Sequence, residues 1–129
     1  MRIKLTGIVV DDQEKALKFY TEILGFKKSQ DIPAGPYRWI TVASPEGGDA
    51  ELSLEPNVNP AAQAYQEALF EQGIPITAFE VDDLDAEFQK LSDLNVTFTT
   101  KPTSAGDVKM AVFNDCCGNL IQIYQPTSE

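Results

Sequence analysis

The chain of 129 residues has the length of one ordinary domain, and 43% of its residues are hydrophobic, enough for a buried core. Twenty acidic residues against ten basic ones give a formal charge of −10, which disfavours nucleic acid and anionic membranes as partners. The acidic excess is compatible with two roles, solubility or the attraction of cationic small molecules. No apolar run reaches the roughly 18 residues of a membrane-spanning helix.

Two further features bear on the location of the protein. Cys116 and Cys117 are adjacent, and adjacent cysteines form a disulfide only with strain, so we expect free thiols in a reducing compartment. Met1 and Arg2 lead directly into an extended segment, which predicts no secretory signal. Together these features predict a cytoplasmic protein.

The first half of the chain is predicted to fold as a strand, a helix and three further strands. Asp11 or Asp12 is expected to cap the helix, with Glu14 completing a capping box, and Gly25 is expected to end it. Residues 32–36, which hold two prolines and a glycine, predict a loop. The predicted strands of this half span residues 3–10, 26–30, 37–43 and 51–55.

The second half repeats this order after a connector. Residues 59–72 predict a connector helix that Asn59 caps and Gly73 ends. A strand then leads to a second helix, whose cap is Asp82 or Asp83. The predicted strands of this half span residues 75–81, 96–100, 108–113 and 120–125.

An internal repeat relates the two halves. Residues 5–20 recur 71 residues later as residues 76–91, with four identities that include both aspartates of each copy. Each copy changes at the double aspartate from an extended run to an amphipathic helix. We therefore predict an α+β fold with two βαβββ modules in tandem, residues 1–56 and 74–126, within one domain spanning 1–129. Curved mixed sheets placed beside one another, with helices outside, would leave a cleft between the modules.

The segments VDDQEKALKFYTEILGF and DCCGNLIQIY, with the paired modules, resemble the vicinal oxygen chelate superfamily. That superfamily contains glyoxalase I, extradiol dioxygenases, fosfomycin resistance proteins and bleomycin-binding proteins. The resemblance covers nearly the whole chain and implies a U-shaped cleft. It also implies a homodimer, which would cover exposed sheet edges. It does not define an activity, because one scaffold hosts unrelated functions.

In the metal-dependent members of this superfamily, ligands come from four equivalent strand positions. By motif these positions fall at Leu5 and Glu51 in the first half and at Ile76 and Gln122 in the second, each pair 71 residues apart. Leucine and isoleucine stand where the family commonly has histidine, and this chain contains no histidine. A catalytic divalent site needs about three protein ligands, so we expect neither a metal nor another cofactor.

Strand alternation indicates which other residues line the expected cleft. Trp39 would offer a stacking or cation–π surface there. In the alternative interpretation the polar residues satisfy one another or face solvent, and Trp39 belongs to the core. The expected ligand-binding residues are Leu5, Tyr37, Trp39, Glu51, Ser53, Ile76, Gln122 and Tyr124.

The sequence supports three hypotheses on function. The first is a metal-free protein that binds an organic, cationic small molecule. The second is an enzyme of this family that uses Glu51 as a general base, with or without a metal, because desolvation near Leu5 and Ile76 would raise the pKa of that carboxyl. The third is an interaction protein with a collapsed cleft.

The adjacent thiols allow two interpretations. Cys116 and Cys117 could act as paired soft metal ligands or as a redox sensor. Asp115, Gly118 and Asn119 instead fit the Asp-x-x-Gly-Asn turn that often precedes the last strand in the family. We expect the turn.

Overall fold

The computed structural model describes residues 1–127, and its element order confirms the predicted α+β fold with two βαβββ modules in tandem. A π-helical turn, Phe19–Ile23, continues helix α1. The helices are α1 Gln13–Lys18, α2 Pro60–Gln72 and α3 Leu84–Asp93. The strands are β1 Leu5–Val10, β2 Lys27–Ala34, β3 Tyr37–Ala43, β4 Glu51–Pro56, β5 Thr77–Glu80, β6 Phe98–Ala105, β7 Val108–Asn114 and β8 Leu120–Pro126.

The chain divides into two compact units, the first ending at Tyr65 and the second beginning at Gln66. Each unit holds one four-stranded mixed sheet, with the orders β1-β4-β3-β2 and β5-β8-β7-β6. In both sheets the first and last strands of the module pair in parallel, and the other neighbours pair antiparallel. The same topology twice accounts for the sequence repeat.

The double aspartates start the helices in both units, and the second aspartate of each pair is the cap. Asp12 accepts a hydrogen bond from the N–H of Lys15, and Asp83 accepts one from Ala86, which satisfies a donor that the helix leaves free. The predicted capping box is wrong, because Lys15 stands three residues after the true cap. Glu14 forms an ion pair with Arg38 instead, 2.7 Å away.

Each unit has its own core between its helix and one face of its sheet. In the first unit, Ile8, Val10, Ile40, Val42 and Leu54 are buried together with Ala16 and Tyr20. In the second unit the buried set is Leu84, Leu91, Ala111, Phe113, Ile121 and Ile123. A fully buried side chain of this size stabilises a fold by roughly 1.5–3 kcal/mol, so these two faces hold each unit together.

Strand β2 departs from the prediction. It continues to Ala34, where the sequence predicted a loop over residues 32–36. β2 is an outer strand of its sheet, so no strand of that sheet pairs with its free side. Pro33 can therefore lack an N–H on that side without the loss of a ladder hydrogen bond. Within residues 1–127, no helix is both long enough and apolar enough to cross a membrane.

Candidate ligand-binding site

The face of the first sheet that is turned away from α1, here called the distal face, carries a polar and aromatic set of side chains. Cross-strand partners point to the same side of a sheet, and the register joins Leu5 with Glu51 and Thr41 with Ser53. Alternation along β3 places Trp39 and Tyr37 on the side of Thr41. The predicted residues of the first module on this face are Leu5, Tyr37, Trp39, Glu51 and Ser53.

Glu51 is held ionised on the distal face. Its Oε1 accepts a hydrogen bond from Thr41 Oγ1 at 2.7 Å. This bond is the largest cause lowering the pKa of Glu51, followed by a hydrogen bond from Ser29, and both outweigh desolvation. The nearby charge of Lys4 acts in the same direction. The expected rise in pKa is therefore wrong, because hydroxyl donors surround this carboxylate.

Ser53 and Glu55 form a second polar group on the same strand. Ser53 is 1% exposed, and its Oγ donates to Glu55 Oε2 at 2.6 Å. Gly7 on β1 pairs with Ser53. A Cβ added at Gly7 would lie 2.5 Å from Ser53 Oγ and 2.6 Å from Glu55 Oε2. Glycine at this position therefore leaves the space that the hydrogen-bonded pair occupies.

The aromatic part of the distal face lies on β3. Trp39 is half-buried, and its indole N–H donates to Gln30 Oε1 at 2.5 Å, so the ring is held from the neighbouring strand β2. Tyr37 is 41% exposed, and Leu5 is 48% exposed on β1. Trp39 is therefore not among the buried core residues, and its ring is partly available to a ligand.

One residue that sequence reasoning missed is Gln13, in the first turn of α1. Its side-chain amide hydrogen-bonds to the backbone of β3 at Arg38 and to the backbone of β4 at Leu54. The signal in the sequence was Pro56, since a proline ending β4 cannot donate a ladder hydrogen bond. Gln13 thus connects the helix to the strand that carries Trp39.

In the second unit, Gln122 and Tyr124 lie half-buried on the corresponding face of β8, away from α3. Ile76 precedes β5 and donates its N–H to the carbonyl of Leu120 at 2.9 Å. Gln122 pairs with Ala78 and Val112, which correspond to Gly7 and Thr41.

This register corrects the predicted equivalence of Glu51 and Gln122. Gln122 corresponds to Ser53, and the position equivalent to Glu51 is held by Leu120. The cause is turn length, since the segment before β4 spans residues 44–50 and the segment before β8 spans only 115–119. The offset of 71 residues that relates β1 to β5 therefore does not relate β4 to β8.

The chemistry of these four positions does not fit the metal of the related enzymes. Leu5, Ile76 and Leu120 offer no donor atom, and Glu51 alone supplies oxygen. Zinc, iron and similar ions require several nitrogen, sulfur or oxygen ligands in a fixed geometry. Over residues 1–127, no group of three or more His, Cys, Asp or Glu side chains is arranged to hold a metal ion.

The predicted turn before β8 is confirmed. The buried carboxylate of Asp115 accepts hydrogen bonds from the backbone N–H of Cys117 at 2.7 Å and of Asn119 at 3.0 Å. Cys116 has a positive φ of 62° and is exposed, whereas Cys117 is buried. Within residues 1–127, neither cysteine forms a disulfide. The two cysteines are therefore parts of a backbone turn that Asp115 holds closed.

Comparison with known proteins identifies the class to which this fold and these faces belong. The family model for the Glyoxalase/Bleomycin resistance protein/Dioxygenase superfamily matches residues 2–123. The chain belongs to that superfamily, as the sequence resemblance predicted.

Particular relatives agree with this assignment. The uncharacterized protein YurT of Bacillus subtilis (strain 168) is 54% identical over 126 residues, which cover 97% of this chain and 99% of YurT. The crystal structure of UcmS2 matches with a TM-score of 0.84 and 28% identity, covering 99% of this chain and 98% of UcmS2. TnmS3, an antibiotic binding protein from Streptomyces sp. CB03234, matches with a TM-score of 0.79 and 30% identity, covering 98% and 96% of the two chains.

Proposed function

We propose that this protein binds an organic small molecule that combines an aromatic ring with a cationic group, and that it does so without a metal ion. The proposal rests on the side chains of the distal face of the first sheet. A half-buried indole, Trp39, shares that face with the carboxylates of Glu51 and Glu55. An aromatic ring can stack on Trp39, and a neighbouring positive charge is attracted both by the indole and by the carboxylates.

Similarity supports the binding role. TnmS3 is an antibiotic binding protein with 30% identity to this chain over nearly all of it. The formal charge of −10 also favours a cationic ligand, because the field of the whole protein attracts it.

The state of Glu51 favours binding over general-base catalysis. A carboxylate whose pKa is lowered by Thr41 and Ser29 is a weaker base than a free one. The same lowered pKa keeps the negative charge in place at every pH near neutrality, which suits the recognition of a cation. Glu51 is therefore assigned to charge recognition in this proposal, with Trp39 on the same face as the stacking surface.

The test uses the single tryptophan as a reporter. Daunorubicin has a planar ring system and an amino group, and N-acetyldaunorubicin has the same ring system without the charge. We expect daunorubicin to quench Trp39 emission saturably and to raise the melting temperature, and we expect the acetylated form to bind at least about tenfold more weakly, as for a lost charge-assisted contact.

Bleomycin A2 is the third compound, as a larger cationic antibiotic with an aromatic tail. Failure of all three compounds to quench Trp39 or to change the melting temperature would contradict the proposal. Equal binding of daunorubicin and its acetylated form would show that the positive charge is not recognised, and it would contradict that part of the proposal.

We also propose a homodimer. Strands β1 and β2 are the outer strands of the first sheet, and Ile3 before β1 and Leu5 at its start expose apolar side chains. An uncovered strand edge with apolar neighbours is commonly paired with another chain. Sedimentation velocity at micromolar concentration should show a dimer, and a single monomeric species would contradict this.

A further inference from the structure

The backbone of β3 at Arg38 lacks a donor from the neighbouring strand β4. The pairing of β3 with β4 ends at Thr41 and Ser53, and three further residues along each strand would bring Pro56 opposite Arg38. Proline has no N–H, so Pro56 cannot donate to the Arg38 carbonyl. A backbone group in this position needs another partner.

Gln13 of α1 is that partner. Its Nε2 donates to the Arg38 carbonyl at 2.7 Å and to the Leu54 carbonyl at 2.8 Å. Its Oε1 accepts from the Arg38 N–H at 3.0 Å. Gln13 is only 9% exposed. One side-chain amide therefore replaces the missing rung between β3 and β4.

The side chain of Arg38 is fixed as well. Its Nε and Nη2 donate to the carboxylate of Asp31 on β2, at 3.0 and 2.7 Å. Its Nη1 donates to Glu14, the residue after Gln13, at 2.7 Å. Trp39 is the next residue along β3 and points to the opposite face. The position of its ring thus depends on a backbone segment that α1 holds through Gln13 and Glu14.

The second unit forms the same sheet without this arrangement. Leu84 stands where the first unit has Gln13, and Gln125 stands where it has Pro56. Gln125 pairs with Lys109, and β7 and β8 remain paired from Asn114 to Val108. The fold itself therefore does not require a glutamine at the start of the helix.

We propose that Gln13 is a positioning residue for ligand binding, because it fixes the backbone that carries Trp39 on the distal face. The role rests on the proposed function for its effect on affinity, but its effect on Trp39 is measurable without any ligand. Gln13 touches no ligand in this proposal. It acts through the backbone of Arg38.

The decisive variant is Gln13→Leu, which introduces the residue found at the equivalent place in the second unit. Its matched control is Gln66→Leu, since Gln66 is also buried and donates to the Cys117 carbonyl and to Asn119 in the second unit. Both changes remove buried hydrogen bonds and should lower stability. Only Gln13→Leu should alter the segment at Arg38 and Trp39.

Three readouts separate the two variants. In Gln13→Leu the Arg38 amide should exchange with solvent at least about tenfold faster, and acrylamide should quench Trp39 more strongly. The dissociation constant of daunorubicin should rise about tenfold. Gln66→Leu should leave all three at wild-type values. Wild-type values in Gln13→Leu, or equal changes in both variants, would overturn the positioning role.

A second variant and the two ligand-free readouts cover the cases in which Gln13→Leu does not fold or the ligand does not bind. If Gln13→Leu does not fold, Gln13→Met keeps an unbranched side chain of similar length and should give the same three changes. If wild-type protein binds none of daunorubicin, N-acetyldaunorubicin and bleomycin A2, the proposed function fails, and the two ligand-free readouts still decide the role of Gln13. If it does bind, the side-chain amide resonances of Gln13 should shift on binding, and unchanged resonances would count against the role.

Discussion

The two units of this protein share one topology and one helix-start signal but differ in how the helix meets the sheet. In the first unit the helix residue Gln13 supplies hydrogen bonds to the strands, because Pro56 cannot. In the second unit the strand residue Gln125 accepts a hydrogen bond from the N–H of Leu84 at 2.8 Å, and Leu84 itself packs in the core. The glutamine that joins helix and sheet thus lies on the helix in the first unit and on a strand in the second.

The sheet faces turned away from α1 and α3 also differ between the units. Thr41, Ser53 and Glu51 of the first unit correspond to Val112, Gln122 and Leu120 of the second. The first sheet thus offers a carboxylate held by hydroxyl donors, where the second offers hydrocarbon and an amide. The repeat therefore keeps the fold in both units, while the charged part of the proposed site lies in the first unit.

The largest expected effect comes from moving the glutamine into the wrong unit. Leu84→Gln would bury an amide where β7 and β8 already satisfy each other, and it would also lose apolar burial. We expect the free energy of unfolding to fall by about 2–5 kcal/mol. Urea unfolding measures this, with Leu94→Gln at the exposed end of the same helix as the control. Equal losses in both variants would contradict the comparison.

The helix caps should respond alike in the two units. Asp12→Ala and Asp83→Ala each remove a side-chain acceptor from the first turn and should each cost about 0.5–2 kcal/mol. The preceding aspartates provide controls, since Asp11→Ala removes only an exposed ion pair with Lys15, worth about 0.3–0.5 kcal/mol. A large cost at one cap and none at the other would show that the shared signal does not act equally.

The sequence predicted these shared features because they are local. A capping aspartate, a helical face and a strand are each written in consecutive residues, and a matching offset shows that they occur twice. The equivalence of Glu51 and Gln122 was predicted wrongly because it depends on the lengths of two separate turns. The offset was measured at the start of each module, before the two turns, so it takes no account of the shorter turn before β8.

The ionisation of Glu51 was missed for a related reason. Thr41 lies ten residues away on the neighbouring strand, and Ser29 lies on β2 where the register with β3 shifts between Lys28 and Gln30. Donors brought together by strand pairing and by an irregularity in an edge strand cannot be read from neighbours in sequence. Gln13 was missed because its partners are backbone groups of β3 and β4.

A smaller effect concerns pH. The pKa of Glu51 is lowered from its ordinary value of 4.5, so its contribution to stability is present above that value and is lost as the pH falls through the lowered pKa. Glu51→Gln should therefore melt below the wild type at pH 7, and the difference should shrink as the pH falls below about 4.5. Thr41→Val should weaken the same dependence. A difference that grows on acidification would contradict the assigned state of Glu51.

A nitrogen-15 NMR titration of the whole protein with daunorubicin tests whether the ligand binds on the distal face of the first sheet. We expect the indole N–H resonance of Trp39 to shift, together with the backbone amide resonances of β3 and β4 around Thr41 and Glu51. We also expect Glu51→Gln to weaken the binding of daunorubicin. Binding that leaves the Trp39 indole resonance unchanged and shifts only resonances elsewhere in the chain would contradict it.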